Sequence, residues 1–156
     1  MTSVFPLAVL LCLSSGLLAA DGQQAPCPPG WTQCGSRCFL FNTGPKNWID
    51  GELFCISVGG NLASIHSEVE HSFLRNYIKQ VTGSDKSAWI GGHDAVKEGT
   101  LLWTDGSKFD FQSFAEGEPN NRGGAENCVV MNFNGNNWND GSCENLAAFM
   151  CSKDSV

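Results

Sequence analysis

Charge is scarce in this chain. Asp, Glu, Lys and Arg make up 16% of its 156 residues, against roughly 25% in an average globular protein. That excludes a highly charged disordered tail and a coiled coil. Positive charge is the scarcer sign: nine Lys and Arg face sixteen Asp and Glu, for a formal net charge of −7. The nine cations are scattered singly, so no basic patch exists to grip nucleic acid or anionic lipid. No apolar run reaches the ~20 residues of a membrane span. There is no Asn-x-Ser/Thr sequon and no Asp-x-Asp-x-Asp-Gly loop, so neither an N-linked glycan nor an EF-hand is expected. Cys-x-x-Cys is absent and no histidine lies near a cysteine at ligand spacing, which disfavours zinc. No Ser/His/Asp or Cys/His nucleophile motif and no Gly-rich phosphate loop occurs, so an enzyme is not expected.

What is present begins with an apolar leader. Thr2 to Ala20 carries no charged side chain, and Val4 to Leu18 is nearly all apolar or small. The run ends in Leu17-Leu18-Ala19-Ala20 and turns polar at Asp21. Residues 1–20 therefore read as a secretory signal peptide, with only the amino terminus as its positive charge. Residues 21–156 read as one secreted, extracellular domain, and 42% apolar residues suffice for its core. Eight cysteines fit an oxidising compartment. Cys12 leaves with the leader. An odd number remains, so one thiol is left over, and sequence alone does not give the pairing.

Patterning predicts α+β. Trp31 to Phe41 fits a short strand pair. Asn47 to Val58 reads as a helix with Trp48, Ile49, Leu53, Phe54 and Val58 on one face, stopped by Gly59-Gly60. Ser67 with Glu70 is a capping pair. It opens a helix with Val69, Phe73, Leu74, Tyr77, Ile78 and Val81 on one face, ended by Gly83. Trp89 to Gly92 reads as a buried strand, Cys128 to Asn132 as another, and Ala147 to Cys151 as the last. Asn134-Gly135 marks a hairpin turn, inside an Asn-rich loop from Asn132 to Asn139. Residues 93 to 127 form a long loop region, interrupted at Leu101 to Trp103. A loop of that length in a compact domain is usually functional. Trp89, Trp103 and Trp138 are assigned to the core. His66 and His71 are assigned to the surface, and His93 is unassigned.

The chemistry concentrates between Glu116 and Cys143. Glu118, Asn120, Glu126, Asn139 and Asp140 are all hard oxygen donors, of the type that suits calcium with its 6–8 oxygens. With the Asp140 carbonyl they make six ligands and leave two positions for neighbouring hydroxyls of a sugar. Chemistry alone leaves a second reading open, a polar Asn/Gly loop without metal.

Cys27-Pro28-Pro29-Gly30-Trp31, Cys38, Cys55, Trp89-Ile90-Gly91, Glu118-Pro119-Asn120, Cys128, Trp138-Asn139-Asp140, Cys143 and Cys151 together resemble a long-form C-type lectin domain. The resemblance runs from about Cys27 to Cys151. It extends to small secreted fish lectins related to type II antifreeze proteins. It implies a double-loop α+β fold with two helices and small antiparallel sheets. It implies disulfides Cys27–Cys38, Cys55–Cys151 and Cys128–Cys143, which leaves Cys34 over. It implies calcium on Glu118, Asn120, Glu126, Asn139 and Asp140, with sugar bound directly to that ion and to Glu118, Asn120, Glu126 and Asn139. A cis bond before Pro119 belongs to the same pattern. Glu-Pro-Asn goes, in the resembling family, with mannose, N-acetylglucosamine, glucose and fucose; Gln-Pro-Asp goes with galactose. The expected function is thus mannose-type carbohydrate binding in innate immune recognition, with ice binding on the same fold as the alternative. A second calcium site at Asp94 and Glu98 is not expected, because Asn121 and Asn127 stand where carboxylates are wanted. Gly92 replaces a frequent Leu, read as a small packing loss. Cys34, read as lying in a surface turn, is expected to form an intermolecular disulfide and a homodimer.

Overall fold

The computed structural model describes Cys12 and residues 27–155 except 122, 123, 134 and 136. Apart from Cys12, the proposed leader lies outside the described residues, as does Asn134 of the expected hairpin turn. The described residues form β1 (Thr32–Cys34), β2 (Arg37–Lys46), α1 (Trp48–Ser57), β3 (Asn61–Leu62), α2 (Glu68–Thr82), β4 (Ala88–His93), β5 (Leu102–Trp103), β6 (Cys128–Phe133), β7 (Asn137–Gly141) and β8 (Ala147–Asp154). The sheet runs β1-β2-β8-β4-β6-β7, with β3 on β8 and β5 on β4. All pairs are antiparallel except β4–β8, which joins the terminal strands to those under the long loops.

Helix ends follow local chemistry. The Asn47 side chain accepts the Asp50 N–H and starts α1; the Ser67 side chain accepts the Glu70 N–H and starts α2. Glu70 does not complete the reciprocal box, since its carboxylate accepts from the His66 N–H and from Arg37, both at 2.9 Å. Gly83 ends α2 in the left-handed region at φ 80°.

Helix α1 is rotated from its expected face. Trp48, Gly51, Glu52 and Cys55 are buried, while Ile49, Leu53 and Ile56 are about half exposed. Two constraints turn it. Cys55 is bonded to Cys151 on β8, and Gly51 lies so near the Phe149 ring that a Cβ would sit 3.4 Å from it. Glu52 is buried because three donors converge on it: Leu62 N–H at 2.7 Å, the Asn61 amide at 2.6 Å and the Thr104 hydroxyl at 3.1 Å. On α2, Val69 and Val81 are exposed and His71 is buried instead.

Gly92 is not a packing loss. A Cβ there would meet Val129 Cγ2 at 2.9 Å, the Trp103 ring at 3.2 Å and the Phe109 ring at 3.3 Å. The missing side chain lets Trp103 and Phe109 stack over β4, with ring centroids 4.4 Å apart.

Disulfides join Cys27 to Cys38, Cys55 to Cys151 and Cys128 to Cys143. Cys34 is also bonded, to Cys12, and is buried rather than exposed in the β1–β2 turn. An odd thiol is expected of a chain without residues 1–20; with them present, Cys12 is the partner of Cys34.

Candidate functional site

Strand β7 carries two of the five expected ligands. Val129 pairs with Asp140 and Val130 with Asn139, and the Cys128–Cys143 disulfide closes the base of the β6–β7 hairpin. The loop before β6 supplies the other three. It docks on β7 by two backbone hydrogen bonds of 2.9 Å, Trp138 N–H to Ser113 O and Ala115 N–H to Trp138 O. The Glu118 N–H then donates to Ala115 O. The Glu118–Pro119 bond is cis.

These elements bring the five residues together. Glu118, Asn120, Glu126 and Asn139 line one depression of about 200 Å³, with Phe133 as an apolar wall. Carboxylate oxygens of Glu118, Glu126 and Asp140 lie within 4.8 Å of one another. Asp140 is nearly fully buried and does a second job: Oδ1 accepts the Asn120 N–H at 2.9 Å and Oδ2 the Asn121 N–H at 2.7 Å. The Asn120 amide donates to Glu118 Oε2 at 3.1 Å.

The electrostatics suit a cation. Desolvation raises the Glu118 carboxyl above its ordinary value, and the Asp140 and Glu126 carboxylates push it further. Among the described residues, Glu118 Oε1 and Asn139 Oδ1 are buried acceptors without a hydrogen-bond partner. Buried orphan acceptors are costly, and a hard cation satisfies both at once. The donor set is all oxygen, which fits calcium and not zinc.

Asp94 and Glu98 also come together, but around an amide. With its nitrogen turned toward them, Asn127 donates to Asp94 Oδ1 at 3.1 Å and Glu98 Oε1 at 3.2 Å. A donor there satisfies the two carboxylates.

A Ser–His–Asp array does form, from residues about 40 positions apart in sequence. His66 Nδ1 lies 2.7 Å from Asp110 Oδ1, and Nε2 lies 3.1 Å from both Ser64 Oγ and Ser107 Oγ. Both hydroxyls donate to Asp105, at 2.6 and 2.5 Å. Their protons are committed to that carboxylate, so His66 cannot activate either oxygen as a nucleophile. Asp105 is held below its ordinary value by these hydroxyl hydrogen bonds and by Arg37, against an opposing and larger single effect of desolvation. The array ties residues 105–110 to the start of α2.

Sequence reasoning missed His71. The residue is 2% exposed, and its Nε2 accepts the Trp138 indole N–H at 3.1 Å. Burial lowers its pKa below the ordinary value, and Arg75 adds to that; the Glu68 carboxylate pulls the other way. The available signal was its spacing: Leu74 and Ile78, three and seven positions on, are core residues of the same helix.

Among known proteins, residues 44–153 match the Lectin C-type domain family. The chain is 45% identical over 151 residues to a galactose-specific lectin, nattectin, of Thalassophryne nattereri, covering 96% of this chain and 95% of that one. The fold is similar to herring type II antifreeze protein, with TM-score 0.77 and 33% identity over 83% of this chain and all of the other. It is equally similar to the cow C-type carbohydrate-recognition domain of CD23, crystallised in the presence of a GlcNAc2Man3 oligosaccharide. That match has TM-score 0.77 and 33% identity over 85% of this chain and 98% of the other.

Proposed function

The chain belongs to the C-type lectin domain family, a family of non-enzymatic carbohydrate-binding proteins, and we propose that it binds mannose-class sugars through calcium. The observation that carries this reading is the pair of buried, unpartnered acceptors, Glu118 Oε1 and Asn139 Oδ1, beside three converging carboxylates. Glu118, Asn120, Glu126, Asn139 and Asp140 would hold the ion. Calcium there would accept two vicinal hydroxyls of a sugar ring. The chain's own residues choose which pair. A carboxylate only accepts hydrogen bonds, whereas an amide also donates. Glu118 and Asn120 stand on either side of Pro119, so the two hydroxyls meet an acceptor on one side and a donor on the other. Phe133, partly exposed on the rim, offers an apolar surface to the ring's C–H face.

Glu118-Pro119-Asn120 supports mannose, N-acetylglucosamine or fucose. The likeness to nattectin, named as galactose-specific, favours a second reading, galactose. Retention on immobilised mannose and galactose in calcium, followed by elution with chelator, separates them. Stronger retention on mannose is expected; equal or stronger retention on galactose refutes the sugar class. Binding that survives chelator refutes the calcium bridge. The likeness to an antifreeze protein makes ice binding the remaining alternative, read by thermal hysteresis on the same sample.

The leader reading makes this a secreted protein of residues 21–156, acting in innate recognition of glycan surfaces. Among the described residues no helix is long and apolar enough to cross a membrane. Removal of residues 1–20 would take Cys12 with it and leave Cys34 without that disulfide partner. Two such chains joined through Cys34 present two sites. Single sugar contacts near millimolar, about 4 kcal/mol, then gain roughly 10²–10⁴ in avidity on a repetitive glycan.

A further inference from the structure

We infer that His71 is a positioning residue for the ligand site, acting through the Trp138 indole. It rests on the calcium reading above and adds a residue on α2, outside the loops that carry the ligands. Trp138 is fully buried and packs in T-shaped geometry against Trp103, Phe111 and Phe114 at centroid distances of 5.9, 6.0 and 5.5 Å, and against His71 at 5.7 Å. Packing against these rings holds the indole in place. The indole N–H to His71 Nε2 bond adds a directional restraint on its orientation.

Four ligands hang from the point it fixes. Asn139 and Asp140 follow Trp138 directly on β7. The Trp138 backbone holds Ser113 and Ala115, and Ala115 holds Glu118. Asp140 in turn holds the Asn120 N–H. A rotation of the indole therefore moves both sides of the site together.

The bond also sets the state of His71. Nε2 accepts, so the ring proton of the neutral imidazole sits on Nδ1, which among the described residues has no hydrogen-bond partner and lies 3.8 Å from Glu68 Oε1. Burial favours that neutral form. The groups facing the ring are Glu68 and Arg75 on its own helix and the Phe111 and Trp138 rings from the loop and β7.

The test compares His71→Leu, which removes the acceptor, with His71→Gln, whose Oε1 can take the indole proton. Calcium affinity is read by titration calorimetry, and the Asn120 and Asn121 amide signals by NMR in chelator. His71→Leu should weaken calcium binding about tenfold, within the range seen when outer-shell partners of metal ligands are removed. It should also shift both amide signals, whose protons Asp140 accepts. His71→Gln should stay within about threefold of the parent. Equal losses in the two variants, or no loss in His71→Leu with unmoved amides, overturn the inference. If His71→Leu does not fold, His71→Gln alone decides, because loss of calcium affinity in a folded Gln variant is the refuting result. If the parent takes up no calcium, the calcium reading falls, and the two amide signals still judge the role of His71.

Discussion

Replacing Asp140 by Asn should separate two things that most site mutations confound, metal affinity and loop stability. The carboxylate faces Glu118 and Glu126 within 4.8 Å and accepts two backbone N–H groups. For metal binding the loss is one charge of three. Two unit charges about 4 Å apart attract by roughly 4 kcal/mol at an effective dielectric near 20, so a divalent ion gains about twice that before desolvation is counted. Even a third of the gross figure, about 2.7 kcal/mol, is a factor of about 100 in affinity. For the calcium-free fold the terms oppose. Hydrogen bonds to a charged group contribute about 1.5–3 kcal/mol each. Asn keeps one acceptor and turns its amide nitrogen toward the second N–H, but both loop residues are reachable by water, which offsets part of the loss. In the other direction, removing the Asp140 charge relieves Glu118, whose carboxyl that charge helps to raise. Asp140→Asn should therefore lower calcium affinity at least 100-fold while changing stability in chelator by no more than about 1–2 kcal/mol. Calcium titration and denaturant melts in chelator measure the two separately. A variant that binds calcium within tenfold of the parent would refute the ligand role of Asp140.

Two further outcomes follow from the same geometry. Because Glu118 holds its proton to higher pH than an ordinary carboxyl, calcium and sugar binding should fall together in mild acid, and a flat calcium affinity from about pH 7.5 to 5 would contradict this. The calcium-free domain should respond oppositely: the Glu118 contribution to stability is fully present below its ordinary value of 4.5 and is lost as pH rises through the raised one, which melts in chelator across pH will show. For Cys34, the natively processed protein should run at twice its monomer mass on non-reducing gels and collapse to monomer on reduction. A monomer in both lanes rules the covalent dimer out, and a dimer that survives Cys34→Ser assigns the bond to another cysteine.

The parts of the fold that were legible in the sequence are those where one residue sets one local outcome. Asn47, Ser67 and Gly83 mark helix ends by their own side chain or lack of one. The strands around Trp89 and Cys128 are apolar runs with turn residues beside them. The rest depends on partners distant in sequence. Strand β7 reads Asn137-Trp138-Asn139-Asp140-Gly141, which has almost no intrinsic strand preference. By itself it reads as loop; pairing with β6, the Cys128–Cys143 disulfide and the Ser113 and Ala115 bonds make it a strand. Helix α1 was misread in phase because an acidic residue, Glu52, is buried by donors from β3 and from Thr104. His71 was misread because its partner is a tryptophan 67 positions away.

The five expected ligands do come together in space, but the reason they stay in place is not legible in the sequence. Ligands rich in Asn, Asp and Gly neighbours make poor regular structure, since their side chains compete for backbone hydrogen bonds. A site built on such a chain must import its rigidity. Here it arrives at one residue, Trp138, from three directions: β6 pairing beside it, the 113–115 backbone across it, and a ring cage closed by His71 beneath it. The long loop then needs no ladder of its own, because Asp140 accepts its Asn120 and Asn121 N–H groups directly. On the calcium reading, the same carboxylate would serve both the ion's shell and the loop's backbone. Sugar release on chelation should consequently leave the loop anchored, with Asn120 and Asn121 still protected in chelator and losing protection only when Asp140 is replaced by Ala. Hydrogen exchange in calcium and in chelator measures it.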